Sequence, residues 1–220
     1  MEFSELYSHS LRQCCAFSPN GQFIAVCDTF RTHVRDAKTL DLVTTFNCSD
    51  KIEFMQFSPD STMILCALYK RKQIQIWSLE FSDWRCKIDE GSAGIASVTW
   101  APDSRHILTT AEFSVRITVW SLSKCTVAYI KQPKTCNRPI DFSPDGALLA
   151  VVERNNSVGI FECDEVWKLT RHFETDAKDV VSVKWSPDCE HILVVDCSTS
   201  YAAFIYDSNG HLLKKITSPT

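Results

Sequence analysis

The sequence lacks three features that would assign it to a common functional class. No hydrophobic run approaches the roughly 18 residues of a membrane-spanning helix, so we expect no membrane insertion. The formal net charge is only −4 over 220 residues. There is therefore no cationic excess for neutralising nucleic-acid phosphates. The first ten residues, MEFSELYSHS, contain two glutamates and no basic segment, which predicts that the chain has no secretory signal.

The eleven cysteines match neither a disulfide framework nor a zinc site. No Cys-x-x-Cys occurs, and no Cys/His pair has the spacing of zinc ligands. Cys27, Cys66 and Cys125 lie in strand-like runs, where a reduced thiol acts as a small buried hydrophobe. An odd count without a secretory signal is typical of a reducing cytosol. We therefore predict no metal and no other cofactor.

What the sequence does contain is one unit repeated five times. Each copy has a turn of the form aromatic-Ser-Pro-Asp/Asn, with alanine replacing serine in the third copy. The turn prolines are Pro19, Pro59, Pro102, Pro144 and Pro187, which gives steps of 40, 43, 42 and 43 residues. A second landmark follows each turn, at Val34-Arg35-Asp36, Ile76-Trp77-Ser78, Val119-Trp120-Ser121, Ile160-Phe161-Glu162 and Ile205-Tyr206-Asp207. Repeats of about 40–45 residues with a terminal Trp-Asp-like pair are the signature of WD-repeat β-propeller blades.

The predicted fold is therefore all-β, a WD-repeat β-propeller with five four-stranded blades in a single region over residues 1–220. In the third copy, Val115, Ile117 and Val119 alternate with polar residues, which predicts a strand with one buried face. Such propellers commonly close with more blades, so we expect these five to be part of a larger propeller. The predicted blades span residues 13–46, 52–88, 95–130, 138–173 and 180–216.

The repeated turn also predicts local backbone strain. Gly21 and Gly146 follow the turn Asn or Asp in two copies, whereas Ser61, Ser104 and Cys189 occupy that position elsewhere. If φ is positive there, each non-glycine residue costs about 1 kcal/mol. His106 and His191 follow matching turns, and we interpret both as structural residues of the repeat.

Several segments are more particular than the repeat requires. They are Cys66-Ala67-Leu68-Tyr69-Lys70-Arg71, Trp84 to Gly94, Arg105-His106-Ile107-Leu108, Ile117 to Leu122 and Tyr129-Ile130-Lys131. On these segments the chain resembles the WD-repeat protein eight family, encoded antisense to the p73 tumour-suppressor gene. The resemblance covers nearly the whole chain and is densest over residues 66–134. Family members are longer, so the resemblance implies that this chain corresponds to their amino-terminal part.

The resemblance implies a non-catalytic scaffold at the centrosome. Members of that family bind a coiled-coil partner, the afadin- and α-actinin-binding protein that anchors microtubules, and γ-tubulin complex components are further candidate partners. The implied locations are the cytoplasm, cytoskeleton, centrosome, centriolar satellites and spindle poles. The implied roles are microtubule anchoring, spindle assembly and ciliogenesis.

The residues themselves suggest a binding face. In a propeller, the connection between strands two and three and the connection to the next blade emerge on one rim. Eight residues of such connections are candidate contacts for a charged helix, through complementary potentials. The candidates are Tyr69, Lys70, Arg71, Lys72, Asp89, Glu90, Lys131 and Lys134. The alternative is that Lys70 to Lys72 form a solvated hairpin tip.

Two other functions are known for propellers. A propeller could read phosphorylated or modified peptides with Lys70 and Arg71. A propeller hydrolase would need catalytic side chains around the central channel. The predicted inner strands at Ile52–Phe57, Ile95–Trp100 and Val180–Trp185 carry only Glu53 and Lys184 among charged residues. The sequence shows no paired carboxylates, histidine cluster or Gly-x-Ser-x-Gly turn. We therefore predict that the chain is not an enzyme.

Overall fold

A computed structural model of the chain describes residues 15–136 and 138–217. These residues form five four-stranded sheets, each built from four strands consecutive in the chain. The sheets are β1 (Cys15–Phe17), β2 (Phe23–Cys27), β3 (Arg31–Asp36) and β4 (Leu42–Asn47); β5 (Phe54–Phe57), β6 (Met63–Leu68), β7 (Gln73–Ser78) and β8 (Arg85–Asp89); β9 (Ser97–Trp100), β10 (His106–Thr110), β11 (Arg116–Ser121) and β12 (Val127–Lys131); β13 (Ile140–Phe142), β14 (Leu148–Val152), β15 (Ser157–Glu162) and β16 (Leu169–Glu174); and β17 (Val180–Trp185), β18 (His191–Asp196), β19 (Ala202–Asp207) and β20 (Leu212–Thr217).

Each predicted blade contains one of these sheets, and the fourth strand ends one residue beyond the predicted boundary in every case. Gln13 and Cys14, where the first blade was predicted to begin, lie outside the described residues, as does the segment predicted to lack a secretory signal. Three single 3-10 turns complete the described structure, at Tyr69–Arg71, Gly91–Ala93 and Glu112–Ser114. Helices this short could not cross a membrane.

The described residues divide between Ile107 and Leu108 into two compact units, each with its own core. In the first unit, side chains from the first two sheets form a core that includes Ala25, Val34, Ile64, Cys66 and Leu68. In the second unit, the last two sheets form a core that includes Ala150, Ile160, Val183, Phe204 and Tyr206. Strands covered on both faces are hydrophobic throughout, as in β6, whereas all six residues of β20 are exposed.

The repeated turn has the same hydrogen bonds in the four copies that contain serine. Ser58 Oγ donates to Asp60 Oδ1 at 2.6 Å and accepts the Met63 N–H at 2.9 Å. In the third copy, where Ala101 replaces the serine, Asp103 accepts the His106 N–H at 3.0 Å. The equivalent serines are Ser18, Ser143 and Ser186.

The histidine after the turn also bonds to the turn aspartate. Asp103 Oδ2 lies 2.5 Å from His106 Nδ1, and His191 Nδ1 lies 3.4 Å from Asp188 Oδ2. Burial raises the pKa of Asp103, but the hydrogen bonds from Arg105 and His106 lower it further, so it lies below its usual value. The structural interpretation of His106 and His191 is therefore confirmed.

The predicted positive φ occurs in all five turns. It is 71° at Gly21, 66° at Ser61, 59° at Ser104, 74° at Gly146 and 62° at Cys189. The three non-glycine residues therefore adopt a left-handed conformation that L-amino acids disfavour. At least one of them bonds to the preceding repeat, because Ser61 Oγ accepts the Asn20 N–H at 3.1 Å.

Two predictions about individual residues are wrong. Cys125 is exposed with a φ of 54°, because it lies in the connection between β11 and β12 rather than in a strand. Val115 is 59% exposed and precedes β11, because it follows a 3-10 turn and has helical backbone angles. Cys27 and Cys66 are fully buried, as predicted, and the described cysteines are thiols rather than disulfides.

Candidate interaction surface

The connection between β6 and β7 carries four of the predicted contact residues. Tyr69–Arg71 forms a single 3-10 turn, and Lys72 closes it in a left-handed conformation, with its N–H donating to the Tyr69 carbonyl at 2.9 Å. The Lys70 N–H donates to Glu53 Oε2 at 3.0 Å, which ties the turn to the segment before β5. The basic side chains therefore extend from a fixed backbone.

Two side chains of this turn interact with acidic groups. Arg71 Nε lies 2.5 Å from Asp50 Oδ2, and this hydrogen bond is the main reason that the pKa of Asp50 lies below its usual value. Burial raises the pKa of Tyr69 to about 12, and the charge of Glu53 acts in the same direction. The phenol is therefore neutral at physiological pH, while the charge of Arg71 is partly neutralised.

The connection that follows β8 lies against this turn. The Glu90 N–H donates to the Lys72 carbonyl at 3.1 Å, and Lys72 Nζ lies 3.5 Å from the Ser92 carbonyl oxygen. The first unit thus brings the six predicted residues of both connections together. Asp89 is exposed, whereas Glu90 is only 6% exposed, so Asp89 is the carboxylate of this pair that a partner can reach.

Asp89 is held in a defined orientation. Its Oδ1 accepts the Gly91 N–H at 2.9 Å, and its Oδ2 accepts Gln73 Nε2–H at 3.0 Å. These two hydrogen bonds keep its pKa below the usual value, so the side chain is an anion at neutral pH. We refer to Lys70, Arg71, Lys72 and Asp89 as the connection surface, a mixed-charge patch on a rigid backbone.

The remaining two predicted residues lie in the second unit and differ from each other. Lys131 is exposed at the end of β12. Lys134 is mostly buried, and its Nζ bonds to Asp179 and to the side chain of Asn156. Asn156 also donates from Nδ2 to the Lys178 carbonyl at 2.9 Å. Lys134 therefore links three connections of this unit, a role that the sequence did not suggest.

Sequence reasoning also missed a set of exposed aromatic residues. Phe30, Phe113 and Tyr201 are 51%, 86% and 69% exposed, and each lies between the second and third strands of its sheet. One signal was available, because Phe30 and Phe113 each stand eleven residues after the turn proline. Aligning the repeats on proline would have found two of the three.

One cluster has the composition of a catalytic triad but a different geometry. His172 Nε2 lies 3.2 Å from Glu153 Oε2 and 2.9 Å from Ser157 Oγ. A catalytic relay places the carboxylate on one ring nitrogen and the serine on the other. Here both groups contact the same nitrogen, and Ser157 is fully buried. The cluster therefore joins β15 to β16.

A second titratable cluster consists of Asp188, Glu190 and His191, whose potential ligand atoms lie within 4.8 Å of one another. Asp188 Oδ1 accepts hydrogen bonds from Ser186 Oγ and the Glu190 N–H. These are the hydrogen bonds of the repeated turn. The cluster is explained by that turn.

Two family models match the chain. The model for the WD domain, G-beta repeat matches residues 3–35. The model described as eukaryotic translation initiation factor eIF2A matches residues 86–219, which is more than half of the chain.

Three curated relatives are similar to the chain. Mouse WD repeat-containing protein WRAP73 is 44% identical over 97% of this chain and 46% of its own length, which confirms the predicted resemblance. The Arabidopsis thaliana transcriptional corepressor LEUNIG_HOMOLOG is 24% identical over 83% of this chain and 23% of its own length. An uncharacterized WD repeat-containing protein of Schizosaccharomyces pombe is 20% identical over 96% of this chain and 46% of its own length. The chain thus spans at most about half the length of these relatives.

A solved structure shows the fold. The β-propeller domain of Cps50 (Swd1) from Myceliophteria thermophila superposes with a TM-score of 0.63 at 11% identity, over 97% of this chain and 73% of that chain. This likeness confirms the predicted β-propeller. The chain therefore belongs to the family that the eIF2A model describes, and it is a WD-repeat β-propeller protein related to mouse WRAP73.

Proposed function

We propose that this chain is a non-catalytic scaffold that binds a coiled-coil partner, the afadin- and α-actinin-binding protein that anchors microtubules. The observation that carries the proposal is the 44% identity to mouse WRAP73 over 97% of the chain. The sequence resembles the family of that protein most closely over residues 66–134. The connection surface lies within this range.

The geometry supports a charged helical partner. Coiled-coil helices carry charged residues beside their apolar seam, so they present both signs of charge along one face. The connection surface offers the exposed cations Lys70 and Arg71, and the anion Asp89 lies in the connection that hydrogen-bonds to Lys72 through the Glu90 N–H. Complementary charges of this kind set the register and the association rate more than the affinity. The hydrogen-bonded backbone lowers the ordering cost of binding.

The cellular role follows from that partner. At centrosomes, centriolar satellites and spindle poles, the complex would support microtubule anchoring, spindle assembly and ciliogenesis, with γ-tubulin complex components as further partners. The chain would act in the cytoplasm as part of the cytoskeleton. It would serve there by holding proteins together.

The decisive experiment is a titration of the purified chain with the coiled-coil partner, alongside full-length mouse WRAP73. Affinities within about threefold of each other are expected if the binding surface lies in these five sheets. If the folded chain does not bind while WRAP73 does, the binding site lies in the part of the relative that this chain does not span.

A second candidate function comes from the family description rather than from the relative. Residues 86–219 match the model described as translation initiation factor eIF2A. Co-sedimentation of the chain with small ribosomal subunits would support a role in initiation. The match of nearly the whole chain to WRAP73 favours the scaffold.

A further inference from the structure

Phe113 is an aromatic residue held in solvent at the tip of the connection between β10 and β11. Its side chain is 86% exposed, and its backbone is left-handed, with φ 61° and ψ 15°. A large apolar side chain in water and a left-handed conformation are both unfavourable. Strained, exposed residues of this kind persist where surrounding contacts hold them and are concentrated at binding sites.

Specific hydrogen bonds hold this tip in place. Arg154 Nη2 donates to the carbonyl oxygens of Phe113 and Ser114, at 3.0 and 3.1 Å. Thr135 Oγ1 donates to Ser114 Oγ at 2.9 Å, and the Ser114 N–H donates to the Ala111 carbonyl at 3.1 Å. Because Ser114 is buried, the aromatic ring is presented by a preorganised loop.

The connections around Phe113 carry one further exposed apolar residue and two exposed cations. Val115 is 59% exposed, and its carbonyl accepts the Gln132 N–H at 3.3 Å. The Arg154 N–H donates to the Gln132 carbonyl at 3.2 Å, so the exposed Arg154 lies beside this pair. The exposed Lys131 precedes Gln132 in the chain. The adjacent Glu112 is the exposed anion of the tip.

The two strands that flank the tip offer no free edge to an added strand. In the order β12-β11-β10-β9, both β10 and β11 have a neighbour on each side, so neither offers a free edge for an extended peptide. A protruding ring is better enclosed by side chains spaced three and four residues apart on a helix. The cations beside it favour carboxylates on that helix.

We propose that Phe113 and Val115 form an apolar docking point for an amphipathic helix whose apolar stripe is flanked by carboxylates, which Lys131 and Arg154 contact. The inference rests on the proposed scaffold function and deepens it, because it assigns a second contact on the other unit. Residues that dominate binding are commonly aromatic or arginine, and here both types occur together.

The test uses a synthetic helix with leucine at heptad positions a and d and glutamate at e and g. Phe113→Ala is expected to weaken its binding about tenfold or more, as is typical for a central aromatic contact. Phe81→Ala is the matched control, because Phe81 is also an exposed phenylalanine, 67% exposed, in the connection between β7 and β8. It should change the affinity less than about twofold.

A charge exchange tests the cationic side. Lys131→Glu should weaken binding of the glutamate helix. It should strengthen binding of a helix that has lysine instead of glutamate at positions e and g. Equal affinities of Phe113→Ala and the unsubstituted chain for the glutamate helix would overturn the proposal. So would Phe113-dependent binding to anionic phosphatidylserine vesicles with no binding to the helix, because the surface would then contact a membrane.

Measuring the binding of the natural coiled-coil partner as well distinguishes a failure of this inference from a failure of the proposed function. If the chain binds the synthetic helix through Phe113 but not the natural partner, the docking point stands and the proposed partner is wrong. If the chain binds the natural partner and Phe113→Ala affects neither ligand, the function stands and the docking point is wrong.

Discussion

Ser104 in the third repeat accepts a hydrogen bond from the backbone N–H of Asp60 in the second repeat, with 2.9 Å between the two atoms. Ser104 is 2% exposed and has a φ of 59°, so this contact is made by a strained, buried residue. Ser61 forms the same bond to Asn20, and Cys189 bonds to Asp145. In all three, the non-glycine residue of one turn contacts the turn of the repeat before it.

Two substitutions of Ser104 separate the effect of the backbone strain on stability from the effect of the hydrogen bond. Ser104→Ala loses the bond and keeps the strain, so the free energy of unfolding should fall by about 1 kcal/mol. Ser104→Gly loses the bond but relieves the strain by about 1 kcal/mol, so its stability should be close to that of the unsubstituted chain. Urea denaturation measures both, and equal losses in the two variants would show that the strain is negligible.

Asp196 should control stability at acid pH. It is 4% exposed and accepts the backbone N–H groups of Lys178, Asp179 and Cys197, at 3.1, 2.8 and 2.8 Å. Burial raises its pKa, but the hydrogen bonds from Ser200 and these N–H groups lower it more, to well below its usual value. The stabilising contribution of the ionised Asp196 to the free energy of unfolding is therefore complete above the unfolded-state pKa of about 3.9. It is lost as the pH falls towards the folded-state pKa.

Asp196→Asn tests this dependence. The substitution replaces a charge-assisted acceptor by a neutral one, and should lower the free energy of unfolding by about 2 kcal/mol at pH 7. The difference between the variant and the unsubstituted chain should shrink as the pH is lowered from 5 to 2. A difference that stays constant over that range would mean that Asp196 does not titrate in this way.

Lys134 should contribute to folding more than to partner binding. Lys134→Met keeps the aliphatic chain but removes the bonds to Asp179 and Asn156, and should lower the free energy of unfolding by about 1 kcal/mol. Lys131→Met is the control, because Lys131 is exposed, and it should change stability by less than about 0.5 kcal/mol. Equal stabilities of the two variants, measured by thermal unfolding, would contradict this role.

The connection surface should act through its charge. Changing Lys70, Arg71 and Lys72 together to serine should weaken binding of the coiled-coil partner and reduce its salt dependence, without lowering the midpoint of thermal unfolding. The control replaces Lys168, Lys214 and Lys215, three exposed cations outside the connection surface, by serine. Unchanged affinity of the first variant at low salt would remove these three residues from the binding site.

Local features could be predicted from the sequence, because neighbouring residues determine them. The repeated turn sequence predicts the positive φ at Ser61 and Ser104. His106 lies only three residues after Asp103, so its imidazole reaches the Asp103 carboxylate. The described sheets begin and end within a few residues of the predicted blade limits, because turn residues and alternation mark where a blade begins and ends.

Contacts between distant residues could not be predicted in this way. Asp179 lies 45 residues after Lys134, and Arg154 lies 41 residues after Phe113. No periodicity indicates which connections meet when the sheets pack. Val115 was misplaced for a related reason, because its alternation with Ile117 continues past the point where the backbone leaves the strand. The features most relevant to binding therefore required the structure.

The bond from one turn to the previous one also limits how the repeats could be rearranged. Ser61, Ser104 and Cys189 each need a preceding repeat with a turn amide or side chain in reach, whereas Gly21 and Gly146 have no side chain for such a contact. Repeats two, three and five are thus adapted to a predecessor, and repeats one and four are not. Duplication or insertion of a unit ahead of repeat four would therefore sacrifice no turn-to-turn bond, but it would separate Arg154 from the carbonyl groups of Phe113 and Ser114.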